Sequence, residues 1–520
     1  MSQQNYKRVL IVDDDKVMRT MIGMILTSRG YIADQVNSVS EARNILSEER
    51  QSDYDCVITD YYMPGENGIE LIKWIQDYQP TLSTILLTST EETDVIKKTF
   101  RSGAVDCLPK PINQKVLFKS VTNAVEVTKQ QREAQQTQKS LREIGKFQNY
   151  LLQSKPPNLP VEVFTCNFPQ KEAGGDSLTI IPVNKDQVLV VVTDVSGHDL
   201  KAAFVSTFFQ GLLRGMIQRK APITEILRFF NNYLLNEWSK LHPENSEHDV
   251  VTSLAVCAIQ MNLKTGNATV INSGFPSANY TDGEGYHERA VLENNCPLGW
   301  FESLESEHTL YPIPELSTFT LWTDGLEDLA LALNVDRMAL AYHLFHYKKM
   351  GNQPPCIKKS KDDILLVRVV IPSDNESPEY YPIISEMYSG NEFNEVDAFQ
   401  STWENSLKLV IEDLNQEHLI AFLLCAREIL LNGLNHGCQG SEEKACHFQI
   451  AYNPVDEKLR LCVRDPGKGH RFDFKKQFEN MQNELVDAST GLSIVYGLAE
   501  DLKIEDSGSC VKAIFSIKNE

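Results

Sequence analysis

The sequence has no surplus of basic residues, no uninterrupted apolar run of membrane-spanning length and no pair of cysteines in a CxxC pattern. Its 50 lysines and arginines are outnumbered by 71 aspartates and glutamates, which gives a formal net charge of −21. Because binding to nucleic acid or to an anionic membrane surface needs a basic face, we expect neither. The 11 cysteines are scattered, which is typical of reduced thiols and argues against a zinc site or a disulfide frame.

The sequence also lacks a recognisable secretory signal. Its first residues, MSQQNYKRVLIVDDD, reach a run of aspartates before any apolar segment long enough for a signal forms. A membrane-spanning helix needs about 18 apolar residues in succession, and no such run occurs. We therefore expect a cytoplasmic protein without a membrane span. Its 520 residues suggest three or four domains, at roughly 150 residues each.

We predict three α/β domains joined by linkers. Short apolar runs such as RVLIV, CVIT and TILLT alternate with amphipathic segments in the first domain, which favours a doubly wound sheet of five parallel strands. The linker after it is polar and Gln-rich and is expected to prolong the preceding helix, with a homodimer through this helix as one interpretation. The predicted bounds are 1–125 for the first domain, 126–154 for the helical linker, 155–372 for a layered α/β domain and 383–520 for a third α/β domain.

Polar side chains end four strands of the predicted parallel sheet. Asp13, Asp14 and Asp15 end the first strand, Asp60 ends the third, Thr88 ends the fourth and Lys110 ends the fifth. The carboxyl ends of parallel strands meet at one edge of a sheet, so these side chains should converge there. Clustered carboxylates repel one another and favour a divalent cation with oxygen ligands, such as Mg²⁺. A carboxylate beside that cation could accept a phosphoryl group, with the lysine and threonine contacting it.

On these residues, segment 7–125 resembles the response-regulator receiver family. The resemblance implies that Asp60 is the phosphoacceptor and that Asp13 and Asp14 hold Mg²⁺ with it. It also implies that Thr88 is the switch hydroxyl and Lys110 the lysine that contacts the phosphoryl group. An upstream sensor histidine kinase would then be the phosphoryl donor.

Four aspartate motifs occur in the middle domain: KEAGGDSL, VVTDVSGHD, LWTDGLED and KSKDDILLV. Aspartates that adjoin strands can meet at one sheet end and hold two divalent cations, and the neighbouring glycines allow close approach of the backbone. Two such ions can deprotonate a bridging water, which attacks phosphorus in line. Each motif taken alone is equally consistent with a simple turn. The four motifs in this order favour the metal site.

These motifs resemble those of the PPM metal-dependent serine/threonine phosphatases, in the bacterial branch of sporulation and stress-response phosphatases. The resemblance covers about 155–372. It implies that two aspartates bridge two Mn²⁺ or Mg²⁺ ions and that the others, with two backbone carbonyls, complete the ligand set. The implied bridging ligands are Asp176 and Asp194, and the further ligands are Asp324, Asp362 or its neighbour Asp363, and the carbonyls of Gly175 and Val195.

The segment AREILLNGLNHG places Glu428, Asn432 and His436 four residues apart. On an α-helix these residues would form one polar stripe beside an apolar face. A surface helix with a polar stripe is the simplest interpretation. A catalytic interpretation is that Asn432 binds the Mg²⁺ of ATP and Glu428 takes a proton from an incoming hydroxyl.

Downstream glycines favour the catalytic interpretation. LCVRDPGKGHRF places Asp465, Gly467 and Gly469 after an apolar strand, and STGLS places Gly491 before an amphipathic helix. Asp465 could accept the adenine amino proton, and the glycines suit a phosphate-binding loop. The segment 383–520 thus resembles the GHKL ATPase fold and, within it, the anti-sigma-factor serine kinases. The resemblance assigns the Glu-Asn-His pattern to the ATP-binding N-box.

The three resemblances together imply partner switching. A receiver would control a serine/threonine phosphatase and an opposing serine kinase, both acting on a small STAS-domain anti-sigma-factor antagonist, so that a sigma factor for a stress response is released or captured. In a rival interpretation the C-terminal domain is a binding module that sequesters the sigma factor or its antagonist without chemistry. The single glycine in STGLS favours the rival, whereas the retained Glu428 opposes it. In a third interpretation the receiver and phosphatase act on an unrelated phosphoprotein.

Overall fold

The computed structural model describes most of the chain, and it divides the chain into two compact units, Met1–Ser140 and Leu141–Glu520. No helix among the described residues is both long enough and apolar enough to cross a membrane. The described residues are 7–47, 54–89, 93–153, 156–170, 174–197, 200–238, 252–282, 287–290, 296–302, 308–351, 354–373, 380–467, 491–505 and 509–517.

The first unit contains a parallel five-stranded sheet covered by helices on both faces. Its elements are β1 (Arg8–Val12), α1 (Lys16–Thr27), β2 (Ile32–Val36), α2 (Val39–Ser47), β3 (Cys56–Asp60), α3 (Gly68–Tyr78), β4 (Thr84–Thr88), α4 (Thr93–Arg101), β5 (Asp106–Pro109) and α5 (Gln114–Gln153). The strand order is β2-β1-β3-β4-β5. Because side chains alternate along a strand, Ile11 packs with residues of α1 and α5, and Leu10 packs with residues of α2 and α3. The predicted doubly wound sheet is confirmed.

Helix α5 is 40 residues long and continues through the Gln-rich segment, as the sequence predicts. Its first turns are anchored in the sheet core by Leu117 and Val121. Residues 133–140 are all exposed, since no apolar face remains in this stretch. Near its end Gln148 is buried again. One continuous helix therefore leads from the first sheet to the start of the second unit.

The middle domain is a sandwich of two five-stranded antiparallel sheets. Its strands are β6 (Glu162–Phe168), β7 (Ser177–Asn184), β8 (Gln187–Val195), β9 (Leu254–Asn262), β10 (Asn267–Ser273), β11 (Ser277–Thr281), β12 (His287–Ala290), β13 (His308–Pro312), β14 (Thr318–Trp322) and β15 (Ile364–Val370). One sheet has the order β13-β10-β9-β8-β7 and the other β12-β11-β14-β15-β6. A core that includes Val190 and Val367 lies between them.

Helices cover both outer faces of this sandwich. They are α6 (Leu200–Gln218), α7 (Ile223–Tyr233), α8 (Asp324–Leu333) and α9 (Arg337–Lys349). Phe209 and Phe230 of α6 and α7 pack on the β7–β8–β9 side, whereas Leu329 and Leu340 of α8 and α9 pack on the β14–β15 side. The predicted layered α/β architecture is confirmed.

The C-terminal domain is an antiparallel sheet with helices on one face. Its elements are β16 (Tyr381–Ser389), α10 (Val396–Val410), α11 (Gln416–Asn432), β17 (Ala445–Asn453), β18 (Lys458–Arg464), α12 (Gly491–Leu498), β19 (Asp501–Glu505) and β20 (Cys510–Ser516). The strand order is β16-β17-β18-β20-β19, and the predicted C-terminal hairpin is the pair β19–β20. Trp403 and Phe422 of the helices pack into the core over Phe448.

The middle and C-terminal domains share a polar interface built around the turn between α8 and α9. Asn334 adopts a left-handed conformation with φ 52° and is bonded through its side chain to Ser401 and Thr402 of α10. The N–H of Asp336 donates to Ser406 Oγ at 2.7 Å. Arg337 Nη2 lies 2.9 Å from a Glu386 carboxylate oxygen on β16.

Candidate functional site

The first candidate site lies at the carboxyl edge of the parallel sheet. Carboxylate oxygens of Asp13, Asp14 and Asp60 all lie within 4.8 Å of one another. Lys110 Nζ is 2.9 Å from Asp13 Oδ2 and 2.8 Å from Asp60 Oδ1. Thr88 is buried at the end of the neighbouring strand β4. The structure thus brings together the five residues to which the resemblance assigns roles in this domain.

Electrostatics favour a cation at this edge. Burial raises the pKa of Asp60, and the nearby Asp13 adds to the shift, although the hydrogen bond from Lys110 opposes it. For Lys110 burial acts to lower the pKa, but its bonds to Asp60 and Asp13 outweigh this and raise it. One lysine faces three carboxylates, so a divalent cation with oxygen ligands fits the remaining charge.

The second candidate site lies at one end of the middle-domain sandwich, where loops from both sheets meet. Asp176 directly precedes β7, Asp194 lies near the end of β8 and Asp324 begins α8. Asp362 and Asp363 precede β15. The five carboxylates line one cavity of about 230 Å³. The cavity is also lined by Gly175, Val195, Ser196, Gly197, Ser253, Ala255, Gly274, Pro276 and Pro297.

Burial and mutual repulsion raise the pKa of three of these carboxylates. Burial, followed by Asp194 and Asp363, raises the pKa of Asp176 well above its ordinary value. Burial and the nearby Asp324 raise the pKa of Asp194 to about 8. Burial and Asp362 also raise the pKa of Asp324. The described residues that line the cavity include no lysine, arginine or histidine.

The backbone around these carboxylates leaves no room for larger residues. A Cβ at Gly175 would come within 2.5 Å of the Val195 carbonyl oxygen, and a Cβ at Gly174 would collide with a carboxylate oxygen of Asp363. The other oxygen of Asp363 accepts the N–H of Gln170 at 2.6 Å. Clustered carboxylates with backbone carbonyls beside them are the donor set that Mg²⁺ and Mn²⁺ prefer, so the residues present are chemically suited to divalent cations.

Two residues near this site have no counterpart in the sequence-based prediction. Thr323 Oγ1 lies 2.8 Å from Asp176 Oδ2. The side-chain amide of Gln148, on α5, donates to the Gly174 carbonyl at 3.0 Å and accepts the Gly174 N–H at 3.2 Å. Thr323 could have been noticed because it directly precedes a candidate ligand, whereas nothing in the Gln-rich segment distinguishes Gln148 from its neighbours.

The third candidate site lies where α11 meets the end of β18. Glu428 and Asn432 occupy the last turns of α11, and both are partly exposed. Asp465 follows β18, and its Oδ1 accepts the N–H of Gly467 at 2.7 Å. A Cβ at Gly437 would collide with the Asp465 side chain, so glycine allows the helix end to contact this aspartate. Candidate metal, base and adenine ligands therefore lie on adjoining elements.

The prediction that His436 continues the α-helical stripe is wrong. The α-helix ends at Asn432, and residues Gly433–Cys438 form a π-helical turn, which shifts His436 out of the i, i+4 register. The turn packs Gly433 against Cys446 and Gly437 against Asp465, which a wider helical turn with glycines permits.

The structure describes one of the two remaining glycines of the third site. Gly491 begins α12, as expected for a glycine before a helix, and Gly469 lies outside the described residues.

Arg427, which lies beside the candidate base, has no counterpart in the sequence-based prediction. Its Nη1 lies 3.2 Å from Glu428 Oε1 and its Nε lies 2.8 Å from Asp397 Oδ1, so the candidate base is paired with a cation.

Three family models match the chain in succession. They are the response regulator receiver domain over residues 9–122, stage II sporulation protein E (SpoIIE) over residues 184–361, and the histidine kinase-like ATPase domain over residues 395–515. The chain therefore combines a receiver domain, a SpoIIE-type phosphatase domain and a histidine kinase-like ATPase domain, in the predicted order.

Curated relatives share only part of their length with this chain. A cyclic di-GMP phosphodiesterase of Thermotoga maritima is 31% identical over 118 residues, which cover 22% of this chain and 30% of that protein. The transcriptional regulatory protein MalR of Bacillus subtilis is 37% identical over 105 residues, which cover 20% of this chain and 43% of that protein. The chain thus spans less than half the length of these relatives.

Among solved structures, the RsbU and RsbW domains of Rv1364c from Mycobacterium tuberculosis match 68% of this chain and 92% of that chain, at 14% identity and a TM-score of 0.31. A response regulator receiver domain protein from Clostridium thermocellum matches 24% of this chain and 97% of that chain, at 27% identity and a TM-score of 0.23.

Proposed function

We propose that this chain is a response regulator that sets a partner switch by controlling two opposing enzymatic domains. An upstream sensor histidine kinase phosphorylates Asp60. The phosphatase domain removes phosphate from a serine or threonine of a STAS-domain anti-sigma-factor antagonist, and the ATPase domain phosphorylates the same residue as a serine kinase. Phosphorylation of Asp60 raises phosphatase output. The result is release or capture of a sigma factor in the cytoplasm and control of a stress response.

The observation that carries this proposal is the convergence of five carboxylates on one cavity of the phosphatase domain. Asp176 and Asp194 would hold the Mn²⁺ or Mg²⁺ ions, with Asp324, Asp362 or Asp363 as further ligands. When bound, the ions supply an activated water and neutralise the phosphoryl group.

The kinase half of the proposal is supported by Glu428 and Asn432 at the end of α11, beside Asp465. Asn432 would bind the Mg²⁺ of ATP and Asp465 the adenine amino group. Glu428 lies one helical turn before Asn432 and would accept the proton of the incoming hydroxyl. A module that only sequesters a partner does not need a carboxylate there.

Helix α5 supports a route from the receiver to the phosphatase. It begins at Gln114, four residues after Lys110, and runs without interruption to Gln153. In its last turns Gln148 binds both backbone groups of Gly174. Gly174 directly precedes Gly175, whose carbonyl is a candidate metal ligand. A shift of α5 after phosphorylation of Asp60 would therefore reach the loop of Gly174 and Gly175, which we call the metal loop. A homodimer through the exposed middle of α5 would be one way to couple two chains.

The alternative is that the C-terminal domain is a binding module without kinase activity. Two variants of the full chain discriminate between a kinase and a binding module. Mix the chain, ATP and Mg²⁺ with a candidate STAS partner, and follow partner phosphorylation by gel shift. We expect Glu428→Ala to abolish phosphorylation while partner binding persists, and Asp176→Asn to let phosphorylated partner accumulate. Partner binding without phosphate under any condition contradicts the kinase assignment. Accumulation that is the same with and without Asp176 contradicts the phosphatase assignment.

A further inference from the structure

Thr323 uses its hydroxyl in an unusual way for its position. It lies between β14 and α8 at the N-cap of the helix, with extended backbone angles (φ −79°, ψ 165°). Threonine at an N-cap usually accepts a hydrogen bond from the first turn. Here the side chain makes no capping bond, and it is completely buried. Its hydroxyl is directed instead toward two groups from other segments.

Those two groups determine the direction of each hydrogen bond. The Leu365 N–H donates to Thr323 Oγ1 at 3.0 Å, because a backbone N–H cannot accept. The single hydroxyl proton is therefore left for Asp176 Oδ2, 2.8 Å away. Thr323 thus donates to one carboxylate oxygen of Asp176 and restrains the orientation of that carboxylate.

The bond also joins three segments that supply candidate ligands. Asp176 precedes β7, Thr323 directly precedes Asp324 at the start of α8, and Leu365 lies in β15 two residues after Asp363. A hydroxyl at this junction fixes one oxygen of Asp176 relative to the other two segments. Groups that orient metal ligands in this way typically contribute about 10- to 100-fold in metal affinity.

We propose that Thr323 is a positioning residue of the phosphatase metal site, which donates to Asp176 Oδ2 and holds this carboxylate in place for a divalent cation. This role rests on the proposed phosphatase function. A purely structural role, in which the hydroxyl only satisfies the buried Leu365 N–H, predicts lower stability without a specific loss of metal affinity.

The test is Mn²⁺ binding by the metal-stripped full chain, measured by calorimetry without nucleotide. All samples carry Asp14→Ala to weaken the receiver cation site, and Asp194→Asn in this background defines binding without the phosphatase site. We expect Thr323→Val to weaken Mn²⁺ binding at the phosphatase site by about tenfold or more and Thr323→Ser to stay within about threefold of the parent. Thr320→Val, which removes a hydroxyl from a buried residue of the preceding strand β14 that does not line the metal cavity, should bind as the parent does.

Each outcome has a defined meaning. Mn²⁺ affinity of Thr323→Val equal to that of the parent overturns the positioning role, whereas the phosphatase proposal survives. A parent that binds no more Mn²⁺ than the Asp194→Asn reference overturns the metal site itself and this role with it. If Thr323→Val does not fold, Thr323→Cys retains the size and a weaker donor. Its Mn²⁺ affinity should then be lower than that of Thr323→Ser, and affinity equal to the parent would again overturn the role.

Discussion

Asp336 is a buried carboxyl outside the three candidate sites. Its Oδ1 accepts the N–H of Met338 at 2.7 Å and caps α9. Burial and the neighbouring Glu386 raise the pKa of Asp336 to about 8, although the bonds from the helix and the nearby Arg337 oppose the shift. In the unfolded chain an aspartate has a pKa of about 3.9. At pH values between these two pKa values, Asp336 retains its proton in the folded chain and has lost it in the unfolded chain.

This difference gives Asp336 a pH-dependent effect on stability. The stabilisation is complete below about pH 4 and is lost as the pH rises toward about 8, because ionisation then has to occur inside the fold. Asp336→Asn keeps an N-cap oxygen but cannot ionise. We expect raising the pH from 6 to 8 to destabilise the wild type relative to this variant by about 2 kcal/mol. Thermal unfolding at both pH values measures this, and parallel profiles for the two proteins would contradict it.

Gly174, which precedes the candidate metal ligand Gly175, leaves little room for a side chain. Its Cβ would collide with a carboxylate oxygen of Asp363, and its backbone is bonded on both sides to Gln148. We therefore expect Gly174→Ala to displace the loop and to lower phosphatase turnover at least tenfold. Gly211→Ala is the matched control, because a Cβ there meets nothing within 4 Å and alanine favours the helix. Phosphatase assays of both variants at saturating Mn²⁺ check this, and equal activities would show that the loop tolerates the added methyl group.

At the scale of elements, the α8–α9 turn is the clearest link between the phosphatase and ATPase domains. The side chain of Asn334 donates to Ser401 Oγ at 3.2 Å and accepts from Thr402 Oγ1 at 2.9 Å, and its carbonyl accepts from Asn405. Asn334→Gly preserves the left-handed backbone and removes the two side-chain bonds.

We expect Asn334→Gly to lower stability by about 1–2 kcal/mol, from two lost hydrogen bonds of about 0.5–1.5 kcal/mol each. Glu457→Gly is the control, because this exposed residue has the same left-handed conformation (φ 52°) in a turn away from the interface. It should be neutral or slightly stabilising. Thermal unfolding of both variants gives the comparison. A loss of stability in the control as large as in Asn334→Gly would assign the effect to backbone freedom and not to the interface.

The elements also show what the sequence can and cannot predict. The parallel strands, the long α5 and the C-terminal hairpin follow from apolar periodicity, which is local. Carboxylates at strand ends could be grouped because sheet topology dictates where those ends meet. The π-helical turn at His436 could not be predicted, since it depends on contacts of Gly433 and Gly437 with Cys446 and Asp465, which are distant in sequence.

The same reasoning explains which site residues were missed. Gln148 lies 26 residues from Gly174, within a stretch rich in similar glutamines, and only the folded chain distinguishes it. Thr323 lies 147 residues from Asp176, so its hydrogen bond is a consequence of how the two sheets stack. The candidate metal ligands occur in short sequence motifs that can be recognised. The residues that hold those ligands in place are brought to them only by the tertiary fold.

For the whole molecule, we propose that one phosphoryl group on Asp60 decides between two opposing reactions, dephosphorylation and phosphorylation of the partner. Lys110 bridges Asp60 and Asp13, so a phosphoryl group or its analogue at Asp60 must rearrange this ion pair. Helix α5 starts four residues later and ends beside the phosphatase metal loop. We therefore propose that a structural change at Asp60 acts along this continuous helix.

The most direct measurement follows the dephosphorylation of a phosphorylated STAS partner by the full chain with Mn²⁺, with and without beryllofluoride. Wild type, Asp60→Ala and Asp176→Asn are compared under the same conditions. We predict that beryllofluoride accelerates phosphate release by wild type at least severalfold and does not change the rate of Asp60→Ala. Asp176→Asn should release no phosphate with or without beryllofluoride. An equal response of wild type and Asp60→Ala to beryllofluoride would contradict control of the phosphatase through this aspartate.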